Sequence, residues 1–211
     1  MIDSIASNLT WLGHDGFRLA VDDTILYFDP FKLQGTPAKA DIILISHEHY
    51  DHCSPEDVTK IQKPDTLIVT DRQAAAKLSG RVICLAPGES HTEGSIRIEA
   101  VPSYNTNKKF HPAANRWLGF IVTAKDVSIY HAGDTDRIPE MKTFKADIAL
   151  LPVSGTYVMT AEEAAQAALD LKPAVAIPMH YGSIVGERSD AERFAHLLAG
   201  KIPVTILPLR N

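Results

Sequence analysis

The segment Ile45-Ser-His-Glu-His-Tyr-Asp-His-Cys-Ser54 constrains this chain more than any other. It places His47, His49, Asp51 and His52 within six residues, directly after the apolar run Asp41-Ile-Ile-Leu-Ile-Ser46. An apolar run without alternation is the pattern of a strand covered on both faces. The residues that follow, Ser54-Pro-Glu-Asp-Val-Thr-Lys-Ile61, predict a helix. Ser54 serves as its N-cap, Pro55 takes the first position, and Glu56 and Asp57 meet the positive helix end. Four titratable side chains therefore sit on a loop between a buried strand and a capped helix. Such loops carry ligands and catalysts because the flanking elements hold them still.

The rest of the chain reads as strands first, then strands mixed with helices. Residues 8–12, 16–20 and 24–28 predict three short strands, the last two joined by a turn at Val21-Asp-Asp-Thr24. Strands are also predicted over 66–70, 81–86, 95–102, 119–124, 127–132, 146–153, 174–180 and 204–209. An Ala-rich helix is predicted over 71–78. Thr160 and Glu163 form a capping box that opens a helix over 161–171. A last helix over 190–199 ends at Gly200. This order fits a four-layer α/β sandwich, with two mixed sheets face to face and helices outside each.

Composition narrows the functional classes. Lys and Arg number 21 against 26 Asp and Glu, so the formal charge is 21 − 26 = −5. That balance argues against a broad nucleic-acid footprint. Two cysteines, Cys53 and Cys84, make neither a disulfide framework nor a C-x-x-C metal motif. The N-terminus lacks a basic segment followed by a signal-length apolar run. No apolar stretch approaches the roughly 20 residues that cross a bilayer. At about 150 residues per domain, one domain over 1–211 is the expectation, in a cytoplasmic protein with a small-molecule substrate and no membrane partner.

Imidazole and carboxylate are ligands for Zn²⁺, Mn²⁺ or Fe. In extended backbone, residues i and i+2 share a side, so His47 and His49 can grip one ion. A turn at Tyr50 then aims Asp51 and His52 at a neighbouring position. Two ions about 3.5–4 Å apart would form a hydrolytic pair.

The run His47-Glu-His-Tyr-Asp-His52 resembles the H-x-H-x-D-H signature of the metallo-β-lactamase superfamily. Thr10-Trp-Leu-Gly-His-Asp-Gly-Phe-Arg-Leu19, followed by Asp29-Pro30, is similar to the N-terminal hairpin of its cytoplasmic branch. That branch includes ascorbate-6-phosphate lactonases and relatives of the N-acylphosphatidylethanolamine-hydrolysing phospholipase D. Tyr130-His-Ala-Gly-Asp-Thr135 resembles the later G-D-T motif, and Pro178-Met-His-Tyr-Gly182 the final histidine motif. The resemblance implies one or two divalent ions. His47 and His49 would hold the first, Asp51 and His52 the second, Asp134 would bridge them, and His180 would complete the second. It further implies hydrolysis of an ester, lactone or phosphodiester, with Asp51 orienting the attacking water and taking its proton.

The chain departs from the pattern in one place. The family supplies a third histidine to the first ion, at the end of the strand before the G-D-T hairpin. Here the corresponding residues are Tyr104 and Asn105. Two readings fill the gap. His111, six residues on, folds back as the missing ligand, which is the reading preferred here. Otherwise the first site is weak, and the protein works with one ion or a harder one such as Mn²⁺. Asn105, Tyr157 and His14 are candidate substrate contacts. His14 reads equally as support beneath the site or as a buried histidine satisfied by backbone. Asp29 either accepts the outer N–H of a ligating imidazole or caps the Asp-Pro turn. Lys108, Lys109 and Arg116 border the loop 104–117 and either attract an anionic substrate or are solvated charges. His91 reads as a surface turn residue, His131 as packing or as a site residue, and His196 as solvent-facing. Trp11, Phe17, Phe28 and Trp117 read as core.

Rival classes stay open on the sequence. A mononuclear-iron oxidoreductase of the same fold is one, although diiron oxidases of this fold place a carboxylate where His49 stands. A non-catalytic metal-binding module is another, against which the retained charge of Asp51 argues.

Overall fold

The computed structural model of the protein describes residues 1–210. Helix α1 (Ile2–Ser7) leads into β1 (Leu9–Gly13), β2 (Gly16–Val21) and β3 (Thr24–Phe28), an antiparallel meander. β4 (Ile42–Leu44), β5 (Leu67–Thr70) and β6 (Arg81–Cys84) extend that sheet in order, all parallel to β3. The second sheet holds β7 (Ser90–Glu93), β8 (Ile96–Pro102), β9 (Leu118–Ala124), β10 (Val127–His131), β11 (Ile148–Pro152) and β12 (Val175–Met179), also in chain order. β7 to β10 run antiparallel, and β10 to β12 run parallel.

The alternation of side chains along each strand sorts the layers. Leu26, Phe28, Ile42, Leu44, Leu67 and Val69 of the first sheet join one apolar core with Ile98, Ala100, Phe120 and Val122 of the second. The intervening residues Tyr27, Ile43 and Ile68 point the other way. They form a separate cluster with Val58 and Ile61 of α2 (Pro55–Ile61) and Ala74 of α3 (Arg72–Ala75). On the far side, α4 (Ala161–Leu171) packs on β11 and on α5 (Arg188–Leu198). Its buried face carries Ala161, Ala164, Ala165 and Ala168, whose small side chains let the helix lie close to the sheet. Each fully buried Leu, Ile or Phe contributes about 1.5–3 kcal/mol by leaving water. The expected helix–sheet–sheet–helix sandwich is the observed one.

Local expectations need four corrections. α1 was not predicted. β7 places His91 in an edge strand rather than a turn, 3.3 Å from Glu93. Its sequence, Ser-His-Thr-Glu, has no apolar period because an edge strand with one open side needs none. The Ala-rich helix is one turn, Arg72–Ala75. Residues 204–209 form no strand. They pair with the sheets only at single bridges, Val204 to Ala176 and Leu209 to Trp11, and Pro208 interrupts them with no N–H to donate.

The topology brings many loops to one edge. β1, β3 to β6, β8 and β10 to β12 all point the same way within their sheets, so their C-terminal ends lie together. Open α/β sheets bind ligands at such ends. Among the described residues no helix is long and apolar enough to cross a membrane.

Candidate metal centre

Cross-sheet hydrogen bonds stitch this edge together. Leu118 N–H donates to Ser46 O at 3.0 Å, and His180 N–H to His14 O at 3.1 Å. Within the second sheet, between the loops after β8 and β10, Ser103 Oγ donates to Asp134 O at 3.0 Å. Gly133 permits the approach: its φ is +61°, and a Cβ there would lie 2.8 Å from Leu118 O. His14, Asp29 and His180 also adopt positive φ, at 51°, 38° and 58°. Such backbone is costly for residues other than glycine and persists where surrounding structure enforces it. Here it turns three polar side chains inward.

The 47–52 loop folds as the sequence predicts. Cys53 N–H donates to His49 O at 2.8 Å, closing a turn with Tyr50 exposed at its tip. Beyond it, Ser54 caps α2. His47, His49 and His111 present one ring nitrogen each within 4.8 Å of one another. His47, His52 and Asp134 do the same, as do Asp15, Asp134 and His180. Asp134 stands between the groups. Its Oδ2 lies 3.1 Å from His111 Nε2, while its Oδ1 lies 3.4 Å from His52 Nε2 and 3.3 Å from His180 Nε2.

Outer partners fix three imidazole tautomers. His52 Nδ1–H donates to Asp29 Oδ2 at 2.8 Å. The Ser46 hydroxyl donates to the same oxygen at 2.6 Å, leaving Ser46 Oγ to accept from His47 Nδ1 at 2.9 Å. His111 Nδ1–H donates to Asn105 Oδ1 at 3.3 Å. Each ring then turns Nε2 toward the cluster.

The loop after β8 explains how His111 arrives. Asn105 N–H donates to His111 O at 2.7 Å, and His111 N–H returns to Asn105 Oδ1 at 2.9 Å. Residues 106–110 are thereby an excursion, and His111 stands beside the position where Asn105 ends the extended segment. Asn105 spends its amide nitrogen on Asp136 Oδ1 at 3.1 Å and Tyr157 O at 2.9 Å. Every polar atom of its side chain is engaged within the protein, which corrects the expectation of a free substrate contact. His14 is likewise buried and donates from Nε2 to Asp51 Oδ2 at 3.1 Å. It lies beneath Asp51 rather than at an open surface. Tyr157 is half-buried, with its ring 4.8 Å from the exposed Phe110 ring. Lys108 bonds Asp136 Oδ1 at 2.7 Å and braces the loop instead of standing free. His131 is packing: its ring stacks 5.0 Å from Phe28, and Nε2 meets Asp15 O at 2.8 Å.

Two participants were not singled out from sequence, and a third, Trp117, was read only as core. Asp15 is fully buried, and neither carboxylate oxygen has a hydrogen-bond partner. A carboxylate next to His14 at the tip of the first hairpin was its only signal. Ser154 Oγ lies 2.8 Å from His180 Nδ1. Trp117 packs its ring 4.8, 4.7 and 5.5 Å from those of His47, His49 and His111.

The electrostatics follow from crowding carboxylates and imidazoles in a buried space. Burial opposes the Asp134 anion, yet His180 and His52 outweigh it and hold that carboxyl well below its usual range. Burial opposes the His180 cation, but Asp134 and Asp15 push its pKa up to about 9. His47, buried and next to His52, is held well below the ordinary histidine value. His14 Nδ1, both Asp15 oxygens, Asp134 Oδ1 and Nε2 of His52, His111 and His180 are all buried without a satisfied hydrogen bond. Buried polar atoms are rarely left so, and an ion is a standard reason. Nitrogen and carboxylate donors converging in this way fit one or two divalent ions, with the oxygen-bearing groups suited to a metal of borderline hardness.

The model of the β-lactamase superfamily domain matches residues 8–180. The chain belongs to the metallo-β-lactamase superfamily. Within this superfamily it is 35% identical to a UPF0173 metal-dependent hydrolase of Thermoplasma acidophilum, covering 94% of this chain and 93% of that protein. A crystal structure from Parabacteroides distasonis, named as a metal-dependent hydrolase, superposes with a TM-score of 0.86 at 38% identity, covering 96% of this chain and 93% of that one. The superfamily fold also appears in CmlA, a diiron β-hydroxylase from Streptomyces venezuelae, with a TM-score of 0.77, 15% identity, and coverage of 96% of this chain and 53% of that one. That last likeness is one of fold alone.

Proposed function

We propose that this protein is a cytoplasmic, single-domain hydrolase that uses divalent ions, with zinc as the metal, to cleave an ester, lactone or phosphodiester bond in a small molecule. One observation carries the reading: buried, unsatisfied imidazole and carboxylate atoms from both sheets converge around Asp134. His47, His49 and His111 would hold one ion. Three neutral imidazoles with an open fourth position make a zinc donor set. His52, His180 and Asp134 would hold the second, with Asp51 and Asp15 bordering it.

When bound, such ions polarise the scissile group and lower the pKa of coordinated water from about 15.7 to about 7. The remaining work falls to the chain. His14 fixes Asp51 through Oδ2, so Asp51 Oδ1 is available to take a proton from the attacking water. Asp29, Ser46 and Asn105 keep the imidazole lone pairs aimed inward. Trp117 packs against one flank of the histidine cluster and holds His47 and His49 in place. Tyr157 would donate a hydrogen bond to substrate.

Elemental analysis of purified protein, with a panel of ester, lactone and phosphodiester substrates, tests this reading. Zinc is expected in the wild type. His49→Ala and Asp134→Ala should each lose metal and activity while retaining the fold by circular dichroism. Full activity in metal-free protein would defeat the proposal. Iron with a visible absorption band, and no hydrolysis, would move the protein to the oxidoreductase class.

A further inference from the structure

A cavity of about 540 Å³ opens beyond Trp117, outside the carboxyl ends of β5 and β6. It lies on the same sheet edge as the metal centre, one strand over from β4. The Trp117 indole joins the two: its ring rests on His47 and His49, and Nε1 donates to Gln73 Oε1 at 2.6 Å on the cavity wall. Arg72 and Arg116 also line this cavity. Both are exposed, and among the described residues neither guanidinium has an ion pair or hydrogen bond, unlike Arg81, Arg97, Arg137, Arg188 and Arg193. Asp71, buried on the same wall, spends Oδ1 on the N–H groups of Gln73 and Ala74 and leaves Oδ2 buried with no partner. Burial raises its carboxyl above the usual range. Glu89 turns a carboxylate oxygen to Ala86 N–H at 2.8 Å.

We infer that this cavity binds the anionic end of the substrate whose scissile group lies at the histidine cluster. Two free guanidiniums suit a carboxylate or phosphate, and Asp71 Oδ2 suits a hydroxyl or amide N–H next to it. The substrate half of this inference rests on the hydrolase reading; the anion site does not.

Cys84 supplies a reporter on the cavity wall. It is exposed, whereas Cys53 is buried with its thiol pKa pushed up to about 11. The probe is succinate, and the readout is labelling of Cys84 by the uncharged reagent dithiodipyridine. Succinate should slow labelling of the wild type and of His49→Ala several-fold, and leave the doubly substituted Arg72→Gln, Arg116→Gln protein unaffected. Labelling without succinate, equal in all three, checks that the wall is intact. Absence of protection, or protection retained in the double variant, overturns the anion site. Protection lost in His49→Ala would put succinate on the metals and overturn it equally. The second arm compares mono-p-nitrophenyl succinate with p-nitrophenyl acetate. The double variant should raise KM for the anionic ester about tenfold and leave the neutral ester unchanged. Protection without that change assigns the cavity to a free anion and overturns the substrate claim. If the wild type cleaves neither ester or any other substrate while succinate still protects, the hydrolase reading fails and the anion site stands.

Discussion

Asn105 shows how a single residue can occupy a ligand's place without doing a ligand's work. Its amide oxygen receives both the backbone and ring N–H of His111, and its nitrogen ties Asp136 and Tyr157. Asn105→Ala therefore frees the His111 ring to rotate. Supporting partners of metal-bound histidines are worth about 10–100-fold in affinity. The variant should lose one ion to a chelator 10–100-fold more readily, in competition with a fluorescent zinc indicator. Asp15 makes the opposite case. A buried carboxylate with no hydrogen bond opposes folding unless an ion or proton compensates it. Asp15→Asn should stabilise the metal-free protein by about 1–3 kcal/mol and weaken metal retention, both read by thermal unfolding with and without chelator. Equal effects on metal-free and metal-loaded protein would remove Asp15 from the site.

At the scale of elements, α2 couples the 47–52 loop to the chain after β3. Asp57 accepts from Lys32 N–H at 2.8 Å, Leu33 N–H at 3.0 Å, the Ser54 hydroxyl at 2.8 Å and Lys60. Burial works against its charge, but these donors outweigh burial and hold its carboxyl below the usual value of 3.8. A carboxyl with a lowered folded pKa stabilises the fold above its unfolded pKa. That stability disappears as pH falls through the folded value. Asp57→Asn should destabilise the protein by about 1–3 kcal/mol at pH 7. The gap from wild type should close below pH 3.8, as urea midpoints across pH would register. A gap of constant size would mean that the charge of Asp57 is irrelevant. This helix was legible because its signals are local: Ser54, Pro55 and two acids in the first turn. β7 and α1 were not, since a polar edge strand and a short helix depend on neighbours far along the chain. His91 was misplaced for that reason. The ends of the strands could be read from apolar runs, so the loops bearing Asp29, His47, Asp134 and His180 could be placed. How Asn105 and His111 close on each other could not, because the closure rests on hydrogen bonds that spacing does not encode.

For the whole molecule, the two sheets meet along one face and are tied at one edge by the groups around Asp134. Ions bound there would link residues from both sheets. A ligand present at 1,000 times its dissociation constant adds about 4.1 kcal/mol to stability. For a chain of this size, 1 kcal/mol moves Tm by about 2–4 °C. Chelation should therefore lower Tm by roughly 8–16 °C, with recovery on adding zinc, by scanning calorimetry. Identical Tm values would show that the centre carries no ion of consequence. The arrangement also bears on synthesis. A nascent polypeptide that has emerged only through β6 already displays the three histidines of the 47–52 turn. The aspartate that faces both groups, and the final histidine, are still to be translated. If these groups hold an ion together, durable loading would wait until His180 has left the ribosome, and tight retention would then report a chain folded through that residue.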